Sequence, residues 1–392
     1  MNGPGIKGWC PSLFEPMAAG DGFLVRVKPR VEGISTAQLR ALAEAGAKYG
    51  SGRIEITNRG NFQLRGFSAA SVAPFAAAML EAGLASAEGQ AERRRNIAVA
   101  PGLGADMMGF ARRLEAWLEQ DDRLHALPAK FGFAVGEVAD IADICILPGA
   151  APLVVLPGHG SVPASDPLAT VQALTHAFLV LAAGLTPRPR RLRDLLATIG
   201  ADSFCSAAAG LTIQAFAPAE SQPELLPGAF ALGLAFDGQT SAQLRRAADL
   251  AERFGNGRLR TTIDRTLLLL GVGDHIGLVE AAREQNFIVD PADPRRRIKA
   301  CAGRPGCGEA LADVRAVAAG LAPLWAGPGT LHVSGCAKGC AAPSGAAVTL
   351  VATAREDRFD IVCDKRADAL PDRAGVSLPD AIHWMTERQF CR

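Results

Sequence analysis

Four cysteines, Cys301, Cys307, Cys336 and Cys340, form a C-x5-C pair followed by a C-x3-C pair. Thiolates are soft donors that select iron–sulfur clusters, zinc or Cu(I), and two short-spaced pairs can close around a [4Fe–4S] cube. Structural zinc more often uses C-x2-4-C knuckles, so the wider gap in ACAGRPGCGEA favours the cluster. In SGCAKGCAAP, Gly335 and Gly339 let the backbone turn tightly enough for both sulfurs to face one centre. The remaining cysteines, Cys10, Cys145, Cys205, Cys363 and Cys391, have no close partner in the sequence. An odd total of nine fits a reduced compartment, and these five read as small buried hydrophobes.

The rest of the chemistry-bearing inventory is basic. A net charge of +1 exerts no global pull on nucleic acid or membrane, but basic residues gather at Arg93–Arg95, Arg188–Arg193 and Arg295–Lys299. Three such groups, one just ahead of the first cysteine, point to an anionic small molecule. The six histidines show no metal-binding helical spacing, so a two-His-one-carboxylate iron site could arise only through tertiary structure. MNGPGIKGWCPSLFEPM lacks the features of a signal peptide, and the most apolar stretch, LATVQALTHAFLVLAAGL, is interrupted by Gln172, Thr175 and His176. A soluble, cytoplasmic protein is expected.

An internal repeat organises these residues. Residues 35–66 align without a gap to residues 240–271, with 11 of 32 positions identical at a constant offset of 205. Each copy predicts a helix after a Ser/Thr start, ended by Gly50-Ser51-Gly52 or Gly255-Asn256-Gly257. Strand-like segments then follow, RIEITN and FQLRG or RLRTTID and TLLLLG. A strand before (FLVRVKP, FALGLAF) and a helix after (SVAPFAAAMLEAG, HIGLVEAAREQ) complete a ferredoxin-like βαββα pattern, so two half-domains are expected to pair about a pseudo-two-fold axis. RRNIAVAPG also matches RRIKACAGR, setting Val99 where the second copy has Cys301. Two glycine patterns invite a dinucleotide reading. Gly3-Pro4-Gly5-Ile6-Lys7-Gly8 has no preceding strand, and Gly271-x-Gly273-x3-Gly277 falls inside one copy of the repeat, so no Rossmann site for NADH is expected.

These segments together resemble the sulfite and nitrite reductase superfamily over nearly the whole chain. GFLVRVKP resembles the strand carrying that family's distal-pocket arginine, here Arg26. IEITNRGNFQLRG resembles T-N-R-Q-x-F-Q, which places Arg59 and Gln63 in functional positions with Gly60 where the family has Gln. RRRNIAVAP matches an R-N signature at Arg95 and Asn96, and LPAKFGFAV matches L-P-x-K-F-K at Lys130. The resemblance implies an α+β, duplicated architecture. Expected are a first half-domain with the N-terminal segment (1–88), an α/β domain without cluster cysteines (89–205), a second half-domain (206–290) and a [4Fe–4S] domain (291–392). Cys301, Cys307, Cys336 and Cys340 become the cluster ligands. In the reductases the last of these cysteines also bridges to sirohaem iron.

The pattern breaks at Gly132, where the reductases carry the second lysine of K-F-K, one of the cations that hold the anion being reduced. Loss of that charge, together with the opening IKGWCPSLFEPMAAGDGFLVRV, resembles the precorrin-3B synthase family, in which the tetrapyrrole is substrate. That resemblance implies an oxygenase acting on precorrin-3A and O2, with C20 hydroxylation and γ-lactone formation. NADH would be the ultimate electron donor, acting through a separate reductase or carrier. A mononuclear non-haem iron is implied besides the cluster, but the sequence nominates no ligands for it. Arg26, Arg95 and Lys130 are then expected in catalysis, and Arg59, Gln63, Asn96 and Gly132 at the substrate. Two other readings remain open: a sirohaem-dependent sulfite or nitrite reductase, and a non-catalytic iron–sulfur carrier or tetrapyrrole-binding protein.

Overall fold

Matching caps fold the two copies of the repeat the same way. In a computed structural model describing residues 11–136, 141–149, 152–217 and 225–390, helices span Thr36–Tyr49 and Ser241–Phe254. Cys10, Cys391 and the Gly3 to Gly8 pattern lie outside the described residues. Each helix opens with a capping box: Ser35 Oγ accepts from Gln38 N–H at 3.2 Å, and Thr240 Oγ1 from Gln243 N–H at 3.2 Å. The glutamine in turn accepts from the cap N–H, at 3.0 and 3.2 Å. Both helices close alike. Gly50 and Gly52 N–H converge on Gly46 O at 3.1 Å, and Gly255 and Gly257 N–H on Ala251 O at 3.1 Å. Only Gly52 (φ +71°) and Gly257 (φ +74°) need the left-handed conformation.

The half-domains are tied together through their sheets. Three strands of the first, Gly22–Val27, Phe62–Phe67 and Arg53–Ile56, are extended on the Arg53–Ile56 side by Gly238–Thr240 from the second. Reciprocally, Phe230–Leu232, Leu267–Leu269 and Arg258–Thr261 are extended by Ile34–Ser35 from the first. The paired helices pack against one another, and Leu39, Leu42, Leu244 and Ala248, all fully buried, share one core with both sheets. Leu267–Leu269 is antiparallel to both its neighbours, unlike the parallel strands of a dinucleotide fold.

Two further sheets repeat a second topology. Ile97–Val99, Phe133–Val135 and Ile144–Leu147 run parallel, then Leu153–Leu156 and Gly160–Pro163 turn antiparallel. Ile298–Ala300, Leu331–Ser334 and Ala346–Ala352 likewise run parallel, followed by antiparallel Arg358–Lys365 and Arg373–Ser377. The duplication therefore extends through the α/β regions. No helix among the described residues is long and apolar enough to cross a membrane; Pro167–Ala183 packs instead through Val171, Leu174 and Phe178 into the core of the first α/β sheet.

His332, on the second strand of the last sheet, is fully buried, and neither ring nitrogen has a hydrogen-bond partner among the described residues. Burial, and the charge of neighbouring Lys299, depress its pKa to about 4. Above pH 6.5 the ring is neutral in both folded and unfolded chains. Below it only the unfolded chain takes the proton, so stability falls progressively between pH 6.5 and 4, by up to about 3 kcal/mol. Denaturant titrations should show that His332→Leu removes this part of the acid sensitivity.

Candidate functional site

The four cysteines are brought together by two parallel strands that end side by side. Cys301 directly follows Ile298–Ala300, and Cys336 follows Leu331–Ser334 after one glycine. The short turn Gly303–Gly306 leads to Cys307, and the next loop carries Cys340. Ligands bind at the carboxyl ends of such strands because the loops there diverge. All four cysteines line one cavity of about 380 Å³. Gly335 is required by close approach, since a Cβ there would lie 2.7 Å from Ala310 Cβ and 3.5 Å from Cys301 Sγ. Its N–H donates to Cys301 Sγ at 3.2 Å, and the Gly303 N–H also donates to that sulfur.

The donor set fits a cluster better than one ion. Burial pushes the Cys301 thiol up, and nearby Cys336 and Cys307 push it further. Cys340 is raised by burial, then by Cys301, Cys336 and Cys307, with Lys338 opposing. Four thiols so placed cannot all ionise unless positive charge lies among them, which is what a metal centre supplies. No three His, Cys, Asp or Glu side chains among the described residues converge closely enough to bind a single metal ion. A zinc ion needs its sulfurs about 2.3 Å away, whereas a cube spreads them across its corners.

Facing the cysteines is a row of side chains on adjacent strands of the first half-domain. Arg26, Gln63 and Glu55 stand in register across three strands. Arg26 Nε donates to Gln63 Oε1 at 3.0 Å, and Gln63 Nε2 donates to Glu55 Oε2 at 2.8 Å. Glu55 then pairs with Arg315, whose Nε donates to Cys301 O at 3.4 Å. Arg65 completes the wall, held by Asp21 at 3.1 Å and by the Gly306 carbonyl beside Cys307. Polar contacts thus run from Arg26 to the backbone of Cys301.

A second cavity of about 450 Å³ shares Asn58, Arg265, Ala341 and Pro343 with the first. Arg295, Arg296 and Lys299 border it. Arg295 is spoken for by Asp293 at 2.7 Å, whose carboxyl it holds below the usual range. Arg265 sits at the junction with φ +60°, a conformation strained for an arginine. Its repeat counterpart is Gly60, at φ +69°. The loop shape is common to both copies, and only the second copy has an arginine at this position.

The expected site residues divide into separate groups. Arg26 and Gln63 share the cavity with the cysteines. Arg59 borders a smaller cavity and donates to Lys130 O at 3.0 Å and Ile141 O at 3.1 Å. Asn96 Nδ2 donates to Ala129 O at 3.0 Å and Phe131 O at 3.1 Å, and Gly132 N–H donates to Asp143 at 2.9 Å. These residues and Lys130 join the first half-domain to the first α/β sheet. Arg95 is 3% exposed and is gripped by Glu92 and Glu115, each at 2.9 Å, and by Lys28 O at 2.8 Å. Burial opposes its charge, and the two carboxylates more than restore it. Glu55, Arg65, Arg265 and Arg315 are the lining residues the motifs did not indicate. The alignment of Gly60 with Arg265 carried a signal for one of them; Arg315 and Glu55 meet only in three dimensions.

Comparison with known proteins agrees with this geometry. The nitrite/sulfite reductase ferredoxin-like half domain family matches residues 15–82 and again 228–282. A precorrin-3B synthase from Sinorhizobium sp. is 32% identical, covering 93% of this chain and 84% of its own length. The chain belongs to the precorrin-3B synthase family. Its kinship to the reductases is visible too, in a ferredoxin–nitrite reductase from Leptolyngbya laminosa at 26% identity over 88% of this chain and 79% of that protein. The solved structure of Mycobacterium tuberculosis NirA superposes with a TM-score of 0.69 at 19% identity, covering 93% of this chain and 79% of that one, which establishes the shared fold. Within this family member, the ion network predicts that Arg95→Ala lowers folding stability by roughly 3–5 kcal/mol, because Glu92 and Glu115 are left buried without their partner. A large drop in the denaturation midpoint is expected.

Proposed function

We propose that this chain is the oxygenase that converts precorrin-3A to precorrin-3B. The observation that carries this reading is the 32% identity to a precorrin-3B synthase across 93% of the chain. The reaction balances as precorrin-3A, O2, NADH and a proton giving precorrin-3B, NAD+ and water. Electrons from NADH reach the chain through a separate reductase or carrier. A [4Fe–4S] cluster on Cys301, Cys307, Cys336 and Cys340 supplies those electrons one at a time.

The chain's own residues bind and orient. Precorrin-3A is an apolar disc rimmed by acetate and propionate carboxylates, and two contiguous basic cavities suit such a shape better than a small oxyanion. Guanidinium forks hold carboxylates bidentately, which gives Arg265 a substrate role at the junction and Arg296 one beyond it. Arg26 is fixed by Gln63 and faces the reacting side of the disc; Glu55 and Arg315 carry that orientation to the Cys301 backbone. Arg59, Asn96, Lys130 and Gly132 act one step back, by setting the first α/β sheet against the half-domain, and Arg95 stiffens the same joint.

Incubating purified protein with precorrin-3A, O2 and a reductant should yield a hydroxylated lactone by mass spectrometry, and the visible spectrum should show a broad shoulder near 400 nm without sirohaem bands. Sirohaem in the wild-type protein, with nitrite or sulfite reduction at an enzymatic rate, would sink the oxygenase reading. Cys307→Ser should lose iron, sulfide and activity together. Arg265→Ala should keep the cluster but bind precorrin-3A more weakly, by about 1.5–3 kcal/mol in a titration, the range for a charged hydrogen bond.

A further inference from the structure

Arg260 stands in the strand Arg258–Thr261 of the second half-domain and is only 4% exposed. Its Nη2 donates to Pro101 O at 2.9 Å, but Nε and Nη1 are buried with no partner among the described residues. Burial works against its charge. Its counterpart in the repeat, 205 residues earlier, is Glu55, which is paired with Arg315 and Gln63. One copy therefore satisfies this strand position with an ion pair, while the other buries an arginine that no carboxylate among the described residues neutralises. An uncompensated buried guanidinium costs several kcal/mol, and a diffusible anion removes that cost.

The space for such an anion is present. Arg260 lines a cavity of about 30 Å³ together with Arg30, Arg59, Asn61 and Thr261. Room for a water needs about 10–15 Å³ by this kind of measure, so the cavity takes one or two water-sized occupants and no tetrapyrrole carboxylate arm. Arg30 is held by Glu119, and Arg59 by main-chain carbonyls, so Arg260 is the residue whose donors await the occupant. We propose that this cavity binds a single chloride-sized monoanion at one of the unpartnered donors of Arg260, Nε or Nη1. Bound there, it lies between the first half-domain loops at 29–33 and 59–61, the Ile97–Val99 strand and the second half-domain. It would act as a buried cross-link between these parts, distinct from the cysteine-lined cavity and independent of the substrate assigned to it.

The test is thermal unfolding of the full chain while chloride replaces gluconate, an anion too large for the cavity, at constant ionic strength. Wild type should gain roughly 1–3 °C per tenfold rise in chloride once the site is half filled, and Arg260→Met should show no such slope. Crystals grown in bromide should give an anomalous peak within hydrogen-bonding distance of Arg260 Nε or Nη1; this arm decides the matter if Arg260→Met does not fold. A wild-type melting temperature indifferent to chloride, the same slope in Arg260→Met, or a bromide-free cavity holding only water would each overturn the proposal.

Discussion

Each half-domain lacks one sheet neighbour that the other provides. Gly238–Thr240 extends the first sheet at Arg53–Ile56, and Ile34–Ser35 extends the second at Arg258–Thr261. Both added strands end on the cap residue of a paired helix, so strand exchange and helix start are one event in the chain. An unpaired strand would leave main-chain donors and acceptors facing an interface. Satisfying them from the opposite copy fuses the halves into one core.

On that symmetric frame the chemistry is asymmetric, through a few exchanges at equivalent positions. The repeat alignment sets Val99, the last residue of the strand Ile97–Val99, against Cys301, which directly follows Ile298–Ala300. Gly60 and Arg265 share a left-handed loop position. Glu55 pairs with Arg315 in the cysteine-lined cavity, whereas Arg260 borders a small cavity with Arg30 and Arg59. Each exchange keeps the backbone and changes what the side chain offers. One copy thereby carries cysteines and an arginine where its sister has apolar residues and a glycine.

The frame was readable in the sequence because its determinants are local. Capping boxes, terminating glycines and alternating strand residues lie within a few positions of the elements they define, and the repeat doubled each signal. The cysteines were readable for the same reason, since two short spacings follow two adjacent strands. The basic residues were not equally readable. A motif says that Arg26 and Gln63 belong together, and they do, because they are cross-strand neighbours. It does not say that Arg95 will meet Glu115, 20 positions along the chain, or that the Arg59 guanidinium will be met by the Lys130 and Ile141 carbonyls. Whether an arginine is a ligand-binding group or a strut is decided by partners that only the tertiary fold assembles.

Gly132 stands beside one of these struts. A Cβ at this position would stand 3.3 Å from Arg59 Nη1 and 3.5 Å from Asn96 O. A longer cationic side chain would crowd the guanidinium and repel it, in a region where Gly132 itself is buried. Arg59 could then no longer hold both the Lys130 and Ile141 carbonyls, and the loop carrying Thr57 and Asn58, which border the cysteine cavity, would lose its anchor. A lysine at this position would therefore compete with the observed bonding of Arg59. The missing lysine is therefore more than a deleted anion ligand. With glycine there, Arg59 belongs to the frame, and the cavity beside the cysteines is lined by Arg26, Arg265 and Arg315.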